Sequence, residues 1–505
     1  MKRLILMGLV LAVACAKEPT PPTAATPGQA AKAAKPAEPP KVEAKEIAIS
    51  TASPEALASF EKGRDLLMNV RESEAAPFFQ KAVELDPSFA VAHAYVGVVT
   101  DGAEGLASLE KAKTLAEKLP DAEKTLVEAM LAERRGESAK VDELTQKLLT
   151  LAPTDWRIRA WAGERAFMRR SFDVAATELK KAAELNPKAG SVHNHLGYAS
   201  LMQGKKDDAV AAFKKYAEIS PTEPNPHDSL GDALMASGKL EEAEAAYKQA
   251  MTVAPAFFFA ATGVAESRAL RGDWSAAEAA LESAKTSAPR FEDKYEISVW
   301  MAWVQMSAGK AKEAMKAMEE MEKQAVQEKL EGTACLATLE RASMVLENGK
   351  AKDAVKLVDG ALTRAEKAQL PGAQLRHVRV FGLAIRAQAQ TKLGKKADVE
   401  KTVAMFVEIV KSDPSNAKLI SMQHHLEGLA ALAAKDTKGA VDHFSKCFDE
   451  DSWCQASRVE ALEAGGDKAG ADAMREKIKA TPIRDSGYIY VRSKLGTTPP
   501  RTAAK

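Results

Sequence analysis

The chain has 505 residues, with 71 Lys and Arg against 70 Asp and Glu and a formal net charge of +1. This balance gives no concentrated basic face of the kind that a nucleic-acid-binding protein usually needs, and we expect no nucleic-acid partner. The chain is longer than a typical single domain, so one hydrophobic core is not expected to serve all of it.

The N-terminus has the pattern of a secretory signal. A basic start, Met-Lys-Arg, precedes an uncharged run over residues 4–14, which is too short to span a membrane. Residues 12–15, Ala-Val-Ala-Cys, resemble the bacterial lipobox, in which small residues precede a cysteine that receives the lipid. The alternative is an ordinary signal peptide, with Cys15 incidental. We expect residues 1–14 to be a lipoprotein signal and Cys15 to be lipidated.

Residues 15–52 are predicted to form a disordered Pro/Ala-rich tether. Residues 17–45 hold seven prolines among Ala, Thr, Lys and Glu and no aromatic residue, a composition that cannot bury a core. Ala16, not Asp, follows the cysteine, which in enteric bacteria favours sorting to the outer membrane. We therefore expect an exported protein, lipid-anchored to the bacterial envelope at the outer membrane and facing the periplasm, which contacts the membrane through its lipid alone.

Residues 122–289 contain five stretches that overlay at a strict 34-residue step. Each stretch ends on a proline in the same position, and a small or apolar residue lies twelve positions before it. The prolines are Pro153, Pro187, Pro221, Pro255 and Pro289. A period of 34 residues is typical of a stacked array of helix hairpins, in which each hairpin contacts only its neighbours.

Glycines mark two kinds of position within these hairpins. Gly204 and Gly238 fall where the first helix must end, a C-cap position that favours glycine. Gly197 and Gly231 lie within the first helix, where a small residue lets the two helices approach closely. The proline that closes each stretch ends the second helix before the next hairpin begins.

The combined pattern is carried by Leu196, Gly197, Ala209, Phe213 and Pro221 and recurs in the following stretch. It resembles the tetratricopeptide repeat family, and with the lipid cysteine the chain is similar to bacterial tetratricopeptide lipoproteins. The resemblance implies an all-α fold, a right-handed superhelical solenoid of antiparallel helix hairpins, and a concave groove that binds proteins.

The pattern extends in both directions with less regular spacing. One unit from Ala56 to Pro87 and a slipped unit ending at Pro120 precede the five stretches. After Pro289 the spacing loosens to roughly 37 to 45 residues, which indicates longer helices of the same class. We expect about twelve hairpins, arranged as standard repeats over 53–289, longer repeats over 290–480, and a C-terminal cap with a disordered tail over 481–505.

The sequence shows no motif for catalysis or metal binding. Residues 424–428 read His-His-Leu-Glu-Gly, whereas the zincin motif needs two histidines four apart with glutamate directly after the first. His424 and Glu427 would suit the inverted motif, but Gly428 stands where its second histidine must be, and His443 is a further possible ligand from the next helix. We expect no metal, no cofactor and no enzymatic activity; a hydrolase in the second half is the least favoured alternative.

Three cysteines remain besides Cys15. Cys335 is expected to be a small buried packing residue. Cys447 ends one hairpin and Cys454 begins the next. An exported protein can keep a disulfide there, but Cys447 also fits a position where other repeats carry alanine, so plain packing explains it too and both interpretations stay open.

The family resemblance also implies a partner-binding wall. In tetratricopeptide repeats the inner wall of the superhelix is lined by residues two, five, nine, twelve and thirteen of the first helix. On this chain the candidate partner-binding residues are Arg157, Glu164, Asn194, Tyr198, Asn225, Asp228, Asp232, Phe259 and Glu266. Acidic residues at the ninth position argue against a clamp for a C-terminal carboxylate. We expect Asp228, Asp232 and Glu266 to lie outside the packed stripe and to suit a basic segment; alternatively these residues only solvate a wide groove.

These features predict a lipid-anchored scaffold of the bacterial cell envelope that binds partner peptides or proteins through its groove. The alternative is a carrier or sensor that holds a small ligand or glycan inside the superhelix. Four tryptophans could line such a cavity, namely Trp156, Trp161, Trp300 and Trp303.

Overall fold

The repeat period is realised as pairs of antiparallel helices. The computed structural model describes residues 46–68, 72–100, 102–255, 257–414, 416–481 and 484–497. Within these ranges there are 25 helices and no strand, and the all-α hairpin solenoid expected from the sequence is confirmed. The predicted signal peptide, Cys15 and most of the predicted tether lie outside the described residues.

The chain forms two compact units, divided between Val192 and His193, and each is described by itself. The first unit contains four helix hairpins. Their helices are α1 (Pro54–Met68), α2 (Glu72–Leu85), α3 (Ala90–Val99), α4 (Gly102–Ala116), α5 (Asp121–Arg134), α6 (Ser138–Leu151), α7 (Trp156–Met168) and α8 (Phe172–Leu185). The division falls inside α9 (Gly190–Met202).

The second unit completes the hairpin of α9 and adds seven more. The helices are α10 (Lys206–Ile219), α11 (Pro224–Ala236), α12 (Leu240–Val253), α13 (Phe258–Leu270), α14 (Trp274–Ser287), α15 (Phe291–Ser307), α16 (Ala311–Gln327), α17 (Glu331–Glu347), α18 (Ala351–Lys367), α19 (Gly372–Lys392), α20 (Lys396–Lys411), α21 (Ala417–Ala433), α22 (Thr437–Ser445), α23 (Ser452–Ala464), α24 (Lys468–Ala480) and α25 (Tyr488–Lys494). Helices α1 to α24 form twelve successive pairs, the number expected from the sequence, and α25 follows them as a single short helix.

Helix length changes where the sequence period loosens. Helices α7 to α14 have 13 or 14 residues each. Helices α15 to α21, which follow Pro289, have 16 to 21 residues. The last hairpins are shorter again, with 9 residues in α22 and 13 in each of α23 and α24.

Turns within the hairpins require a left-handed backbone. Gly204 and Gly238 have φ of 73° and 76°, so the C-cap role predicted for them is confirmed. At the α21–α22 turn Lys435 takes this conformation with φ of 64°, which is uncommon for a residue with a side chain. The reversal between paired helices is therefore set mostly by glycine, because a Cβ disfavours this region.

The other predicted glycine position brings the two helices of a hairpin into contact. A Cβ added to Gly197 would lie 2.6 Å from the Phe213 ring, and one added to Gly231 would lie 2.5 Å from the Tyr247 ring. The Tyr247 ring is confined on its other side too, since a Cβ on Gly263 of α13 would lie 2.6 Å from it. Each large second-helix residue thus packs where the first helix lacks a side chain.

The first unit has the same arrangement around aromatic residues. The Phe60 and Phe79 rings lie 5.0 and 5.1 Å from the Tyr95 ring, and Phe89 lies 5.2 Å from Phe60. Phe60, Phe79 and Phe89 are fully buried. Aromatic side chains of this size contribute much of the apolar area in such a core.

The cysteines of the second unit are buried. Cys335 on α17 is inaccessible to solvent, as predicted, and burial raises the pKa of its thiol to about 11. Cys447 and Cys454 form a disulfide. The disulfide links the segment after α22 to the first turn of α23, so it joins two consecutive hairpins.

Gly231→Leu tests the close approach of α11 and α12. A leucine at this position must displace the Tyr247 ring, which cannot move towards Gly263, so we expect a loss of about 1–3 kcal/mol of stability. Thermal melting followed by circular dichroism measures the effect.

The matched control is Gly360→Leu on α18, where an added Cβ meets nothing within 4 Å. We expect this exposed change to be neutral or to gain up to about 1 kcal/mol, since leucine favours helix more than glycine. Equal melting temperatures for the two variants would contradict the packing described for Gly231.

Candidate functional site: own-chain segments on the first helices

The candidate partner-binding residues lie on first helices of hairpins in both units. Arg157 and Glu164 are on α7 in the first unit, and the others are on α9, α11 and α13 in the second unit. We use the term first-helix face for the side chains at positions two, five, nine, twelve and thirteen of first helices, together with the carboxylates at or shortly before the starts of such helices, Asp86, Glu123 and Asp155. In each unit this face contacts a segment from one end of the same chain.

In the second unit the face is occupied by Arg484, which precedes α25. Its Nη1 donates hydrogen bonds to Asp228 Oδ2 and Asp232 Oδ1, each at 2.9 Å. Its Nη2 donates to the main-chain oxygen of Phe259 and to Thr262 Oγ1 at 3.3 Å. A planar guanidinium, with five donors in fixed directions, suits such a set of oxygens. The arginine therefore connects α11 with α13.

Asp232 is the centre of a hydrogen-bond network beneath the arginine. Its carboxylate accepts from Tyr198 Oη at 2.9 Å and from Tyr247 Oη at 2.7 Å. Tyr198 Oη also lies 3.2 Å from Ser229 Oγ, and this hydroxyl donates to Asn194 Oδ1 at 2.9 Å. The network joins residues of two successive hairpins, because Tyr198 and Asp232 occupy the same position one repeat period apart.

The side chains around Arg484 are largely shielded from water, and this burial shifts the pKa values of the acidic residues among them. The Arg484 side chain is 15% exposed, and its guanidinium lies 5.0 Å from the centre of the Tyr247 ring. Burial raises the pKa of Asp228, although Arg484 opposes the shift. Burial also raises the pKa of Glu266 well above its usual range. Glu266 is fully buried and neither of its oxygens has a hydrogen-bond partner, which favours the neutral acid.

Two expectations for these acidic residues need correction. Asp228, Asp232 and Glu266 do lie together, but Asp228 and Glu266 are buried and do not lie outside the packed stripe. The basic group that they meet is Arg484 of the same chain. Both expectations fail because Arg484, more than 200 positions further along the chain, contacts Asp228 and Asp232. The repeat period gives no information about a contact between such distant residues.

Aromatic packing and ion pairs hold the C-terminal segment in this place. The Trp303 ring on α15 lies 5.3 Å from both the Trp453 ring on α23 and the Tyr490 ring on α25. Ile489 is fully buried, and Lys494 pairs with Glu347 at 3.2 Å. The C-terminal segment thus packs against α15 and α23 and also reaches the first-helix face. The sequence predicts only a cap at the end of the array and not this second contact.

In the first unit an extended N-terminal segment, residues 46–52, contacts the first helices. The main-chain N–H of Ile47 donates to Asp155 Oδ2 at 3.1 Å, and that of Ser50 donates to Glu123 Oε1 at 2.7 Å. Glu123 is fully buried and Asp155 is 3% exposed. Two carboxylates from successive hairpins therefore bind the backbone of one N-terminal segment.

A third carboxylate continues the series one hairpin earlier. Asp86 Oδ2 accepts from Thr51 Oγ1 at 2.6 Å and from the main-chain N–H of Ala52 at 3.4 Å. Hydrogen bonds from Ser88, and next from Thr51, lower the pKa of Asp86. Residues 46–52, which belong to the predicted disordered tether, are instead bound to the repeats.

The remaining candidates of the first unit extend this contact. Arg157 Nη1 lies 3.4 Å from Glu46 Oε2 and 3.5 Å from Asp155 Oδ1, and its guanidinium covers the Trp156 ring at 4.9 Å. Glu164 is half-buried on α7. Arg157 thus contacts the start of the own-chain segment.

Asn225 in the second unit lies beside Tyr216, whose hydroxyl oxygen accepts a hydrogen bond from Asn225 Nδ2 at 3.4 Å. The sequence analysis missed Arg484 and the carboxylates of Asp86, Glu123 and Asp155. The available signal for the three carboxylates was their spacing of about one repeat.

The tryptophans proposed for a ligand cavity are mostly packing residues. Trp300 is 8% and Trp303 3% exposed, so neither presents a ring face to a ligand. Trp303 also donates from Nε1 to Glu340 Oε2 at 3.1 Å. Trp161 packs against the core of the first unit. Trp156 is half-buried on α7, with the guanidinium of the next residue over its ring. Trp161, Trp300 and Trp303 therefore do not supply the cavity wall proposed for a carrier.

Arg484→Met tests whether the ion pairs of the C-terminal segment hold the second unit together. The variant keeps the length of the side chain but leaves Asp228 and Asp232 without their cation, and breaking a buried pair this way costs about 3–5 kcal/mol. Adding Asp228→Asn and Asp232→Asn is expected to recover part of that loss. Thermal and urea unfolding measure each variant.

Arg475→Met is the control, since Arg475 on α24 pairs with Glu463 and Asp472, whose side chains are 50% and 60% exposed. Exposed pairs contribute about 0–1 kcal/mol, so this variant should melt close to the wild type. Equal losses for Arg484→Met and Arg475→Met would show that the buried pairs do not stabilise the unit.

Comparison with known proteins identifies the repeats. Family models described as tetratricopeptide repeat match residues 162–224 and 227–257. The comparison with curated proteins found no match to this chain.

Several solved structures are similar in fold at low sequence identity. Yeast Tom70 is 15% identical, with 88% of this chain and 99% of Tom70 covered and a TM-score of 0.43. A thermophilic TPR protein of Thermus thermophilus is 19% identical, with 42% and 98% covered and a TM-score of 0.28. Pseudomonas aeruginosa PilF is 20% identical, with 46% and 92% covered and a TM-score of 0.29. The chain therefore contains tetratricopeptide repeats at residues 162–224 and 227–257, and the other described helices, α25 apart, form hairpins of the same kind.

Proposed function

We infer that the protein is a lipid-anchored scaffold of the bacterial cell envelope, without catalytic activity, that binds extended protein segments along its first-helix face. The observation that carries this proposal is the binding of residues 46–52 by carboxylates that recur once per hairpin. Main-chain N–H groups are common to every protein, so a face that binds them can hold an extended segment of a partner in the same way.

The chemistry of the repeats supports a scaffold. A hairpin array presents one set of side chains per repeat and so offers a long surface to a partner. The part of the first-helix face around Asp232 is already filled by Arg484. A partner therefore has to use other positions, such as Met168 at the end of α7, which is 46% exposed.

The anchor is proposed from the sequence of residues 1–15, with the tether between Cys15 and the bound residues 46–52. None of the helices in the described ranges combines the length and the apolar surface needed to cross a bilayer. The disulfide between Cys447 and Cys454 suits an oxidising compartment outside the cytoplasm. On this proposal the protein reaches the outer membrane, and the tether connects the lipid to a segment bound by the second, third and fourth hairpins.

Cys15→Ser tests the anchor. A serine cannot accept the thioether-linked lipid, so we expect the variant to leave the membrane fraction or to stay unprocessed, as measured by fractionation and intact mass. Ala16→Ser is the control and should remain in the membrane fraction with a lipid-sized mass increase. A Cys15→Ser protein with wild-type fractionation and mature mass would refute the lipid anchor.

A photo-crosslinking amino acid at position 168 tests the partner-binding face. We expect it to give a discrete protein adduct in intact envelopes, because the side chain is exposed on the first-helix face. The same amino acid at Lys180, which is exposed on α8 of the same hairpin, is the control. Identical adducts from both positions, or none from position 168, would contradict the proposed binding face.

A further inference from the structure

A cluster of two histidines and one glutamate lies in the hairpin of α21 and α22. His424 and Glu427 are one helical turn apart on α21, and His443 is on α22. Residues three apart on a helix lie on one face, and the short connection brings α22 against that face. The cluster therefore depends on the fold of one hairpin alone.

The possible ligand atoms of the cluster converge. Glu427 Oε2 lies 3.1 Å from His424 Nδ1 and 3.1 Å from His443 Nδ1. All three atoms lie within 4.8 Å of one another. Bonds of about 2.0–2.2 Å in a tetrahedral site place neighbouring ligand atoms about 3.3 Å apart. Small side-chain rotations are enough to reach that geometry.

One nitrogen of the cluster lacks a hydrogen-bond partner. His443 Nδ1 is shielded from solvent, and its contact with Glu427 does not have the direction of a hydrogen bond. Buried polar atoms are nearly always paired, so an unpaired one needs an explanation. A cation among the three ligand atoms would bind this nitrogen through its lone pair and also the carboxylate that both imidazoles face.

The surroundings hold the carboxylate and leave the site accessible. Gln423 Nε2 donates to Glu427 Oε1 at 2.7 Å and fixes the orientation of the carboxylate. The side chains of His424, Glu427 and His443 are 25%, 24% and 33% exposed. An ion can therefore enter from solvent, and one coordination position remains for water.

We propose that His424, Glu427 and His443 form a binding site for a divalent transition-metal ion, with zinc as the best match. Two imidazoles and one carboxylate are a common zinc donor set, and three protein ligands leave the fourth position open. Nickel and copper prefer the same nitrogen donors and are expected to bind as well, whereas magnesium and calcium prefer oxygen donors. Bound zinc would join α21 to α22.

The order of these residues explains why the sequence did not predict the site. His424 and Glu427 match only part of the inverted zincin pattern. Because the second histidine of that pattern is missing, the sequence predicts no metal. The third ligand comes from the next helix, 16 positions after Glu427. This arrangement differs from the zincin motif, in which the glutamate after the first histidine acts as a base.

The experiment uses the purified full chain, stripped with EDTA and dialysed, and titrated with zinc chloride by isothermal calorimetry. We expect one site with a Kd of about 10 μM or tighter, and a rise in melting temperature on zinc addition. Cobalt added in place of zinc should give the visible absorption of a four-coordinate site. A magnesium titration should give no comparable binding.

Variants assign the site to these side chains. His443→Ala should weaken zinc binding at least 100-fold and should change the metal-free melting temperature little, because its Nδ1 has no hydrogen-bond partner and its side chain is 33% exposed. Gln423→Ala should weaken it about 10-fold, since partners that orient a ligand typically contribute 10–100-fold. His424→Ala should also abolish binding.

His227→Ala is the control, since this half-buried histidine lies on α11, outside the cluster, and should leave zinc affinity unchanged. The proposal is overturned if the wild type binds zinc no more tightly than about 1 mM, or if His443→Ala and His227→Ala bind it equally well.

Discussion

The close contact of two helices at a residue without a side chain is the constraint on which the array depends. Gly197 faces Phe213, Gly231 faces Tyr247, and in the last third of the chain Gly428 faces Phe444. Because a large residue on the second helix fills the space left by glycine on the first, the hairpin has one favoured register. With the register fixed, the residues of each first helix keep the same positions from one hairpin to the next.

Repetition of these positions is what creates binding surfaces for the two ends of the chain. Carboxylates near the starts of successive first helices, Asp86, Glu123 and Asp155, line up along an extended N-terminal segment. In the second unit Asp228 and Asp232 converge on Arg484. Buried carboxylates are costly unless they are paired, and the chain supplies the partners itself. The same chemistry is what the scaffold hypothesis requires of a partner.

The second unit contains polar interactions between residues that are far apart in the chain, and the sequence period does not predict them. Glu347 illustrates this: burial favours its neutral form, but Lys494 and Lys392 outweigh that effect and lower the pKa. These residues belong to α17, α19 and α25, so the ion pairs fasten the C-terminal helix to the array. The histidine cluster of α21 and α22 has a different character, because its three ligand atoms converge and one of them, His443 Nδ1, has no hydrogen-bond partner.

The sequence by itself determined the hairpins, their number, the turns at Gly204 and Gly238 and the contact positions at Gly197 and Gly231. These features are local or recur every 34 residues, so a pattern of small residues and prolines suffices to locate them. It also selected most of the residues that meet on the first-helix face. Tertiary structure alone decided what that face contacts, since Arg484 is separated from Asp228 by 256 positions and residues 46–52 from Asp155 by more than 100. It likewise joined His443 to His424 and Glu427 and paired Cys447 with Cys454. Periodicity specifies how neighbouring hairpins pack. It does not specify where a segment outside the repeats will contact them, because such a contact depends on the path of the chain in space.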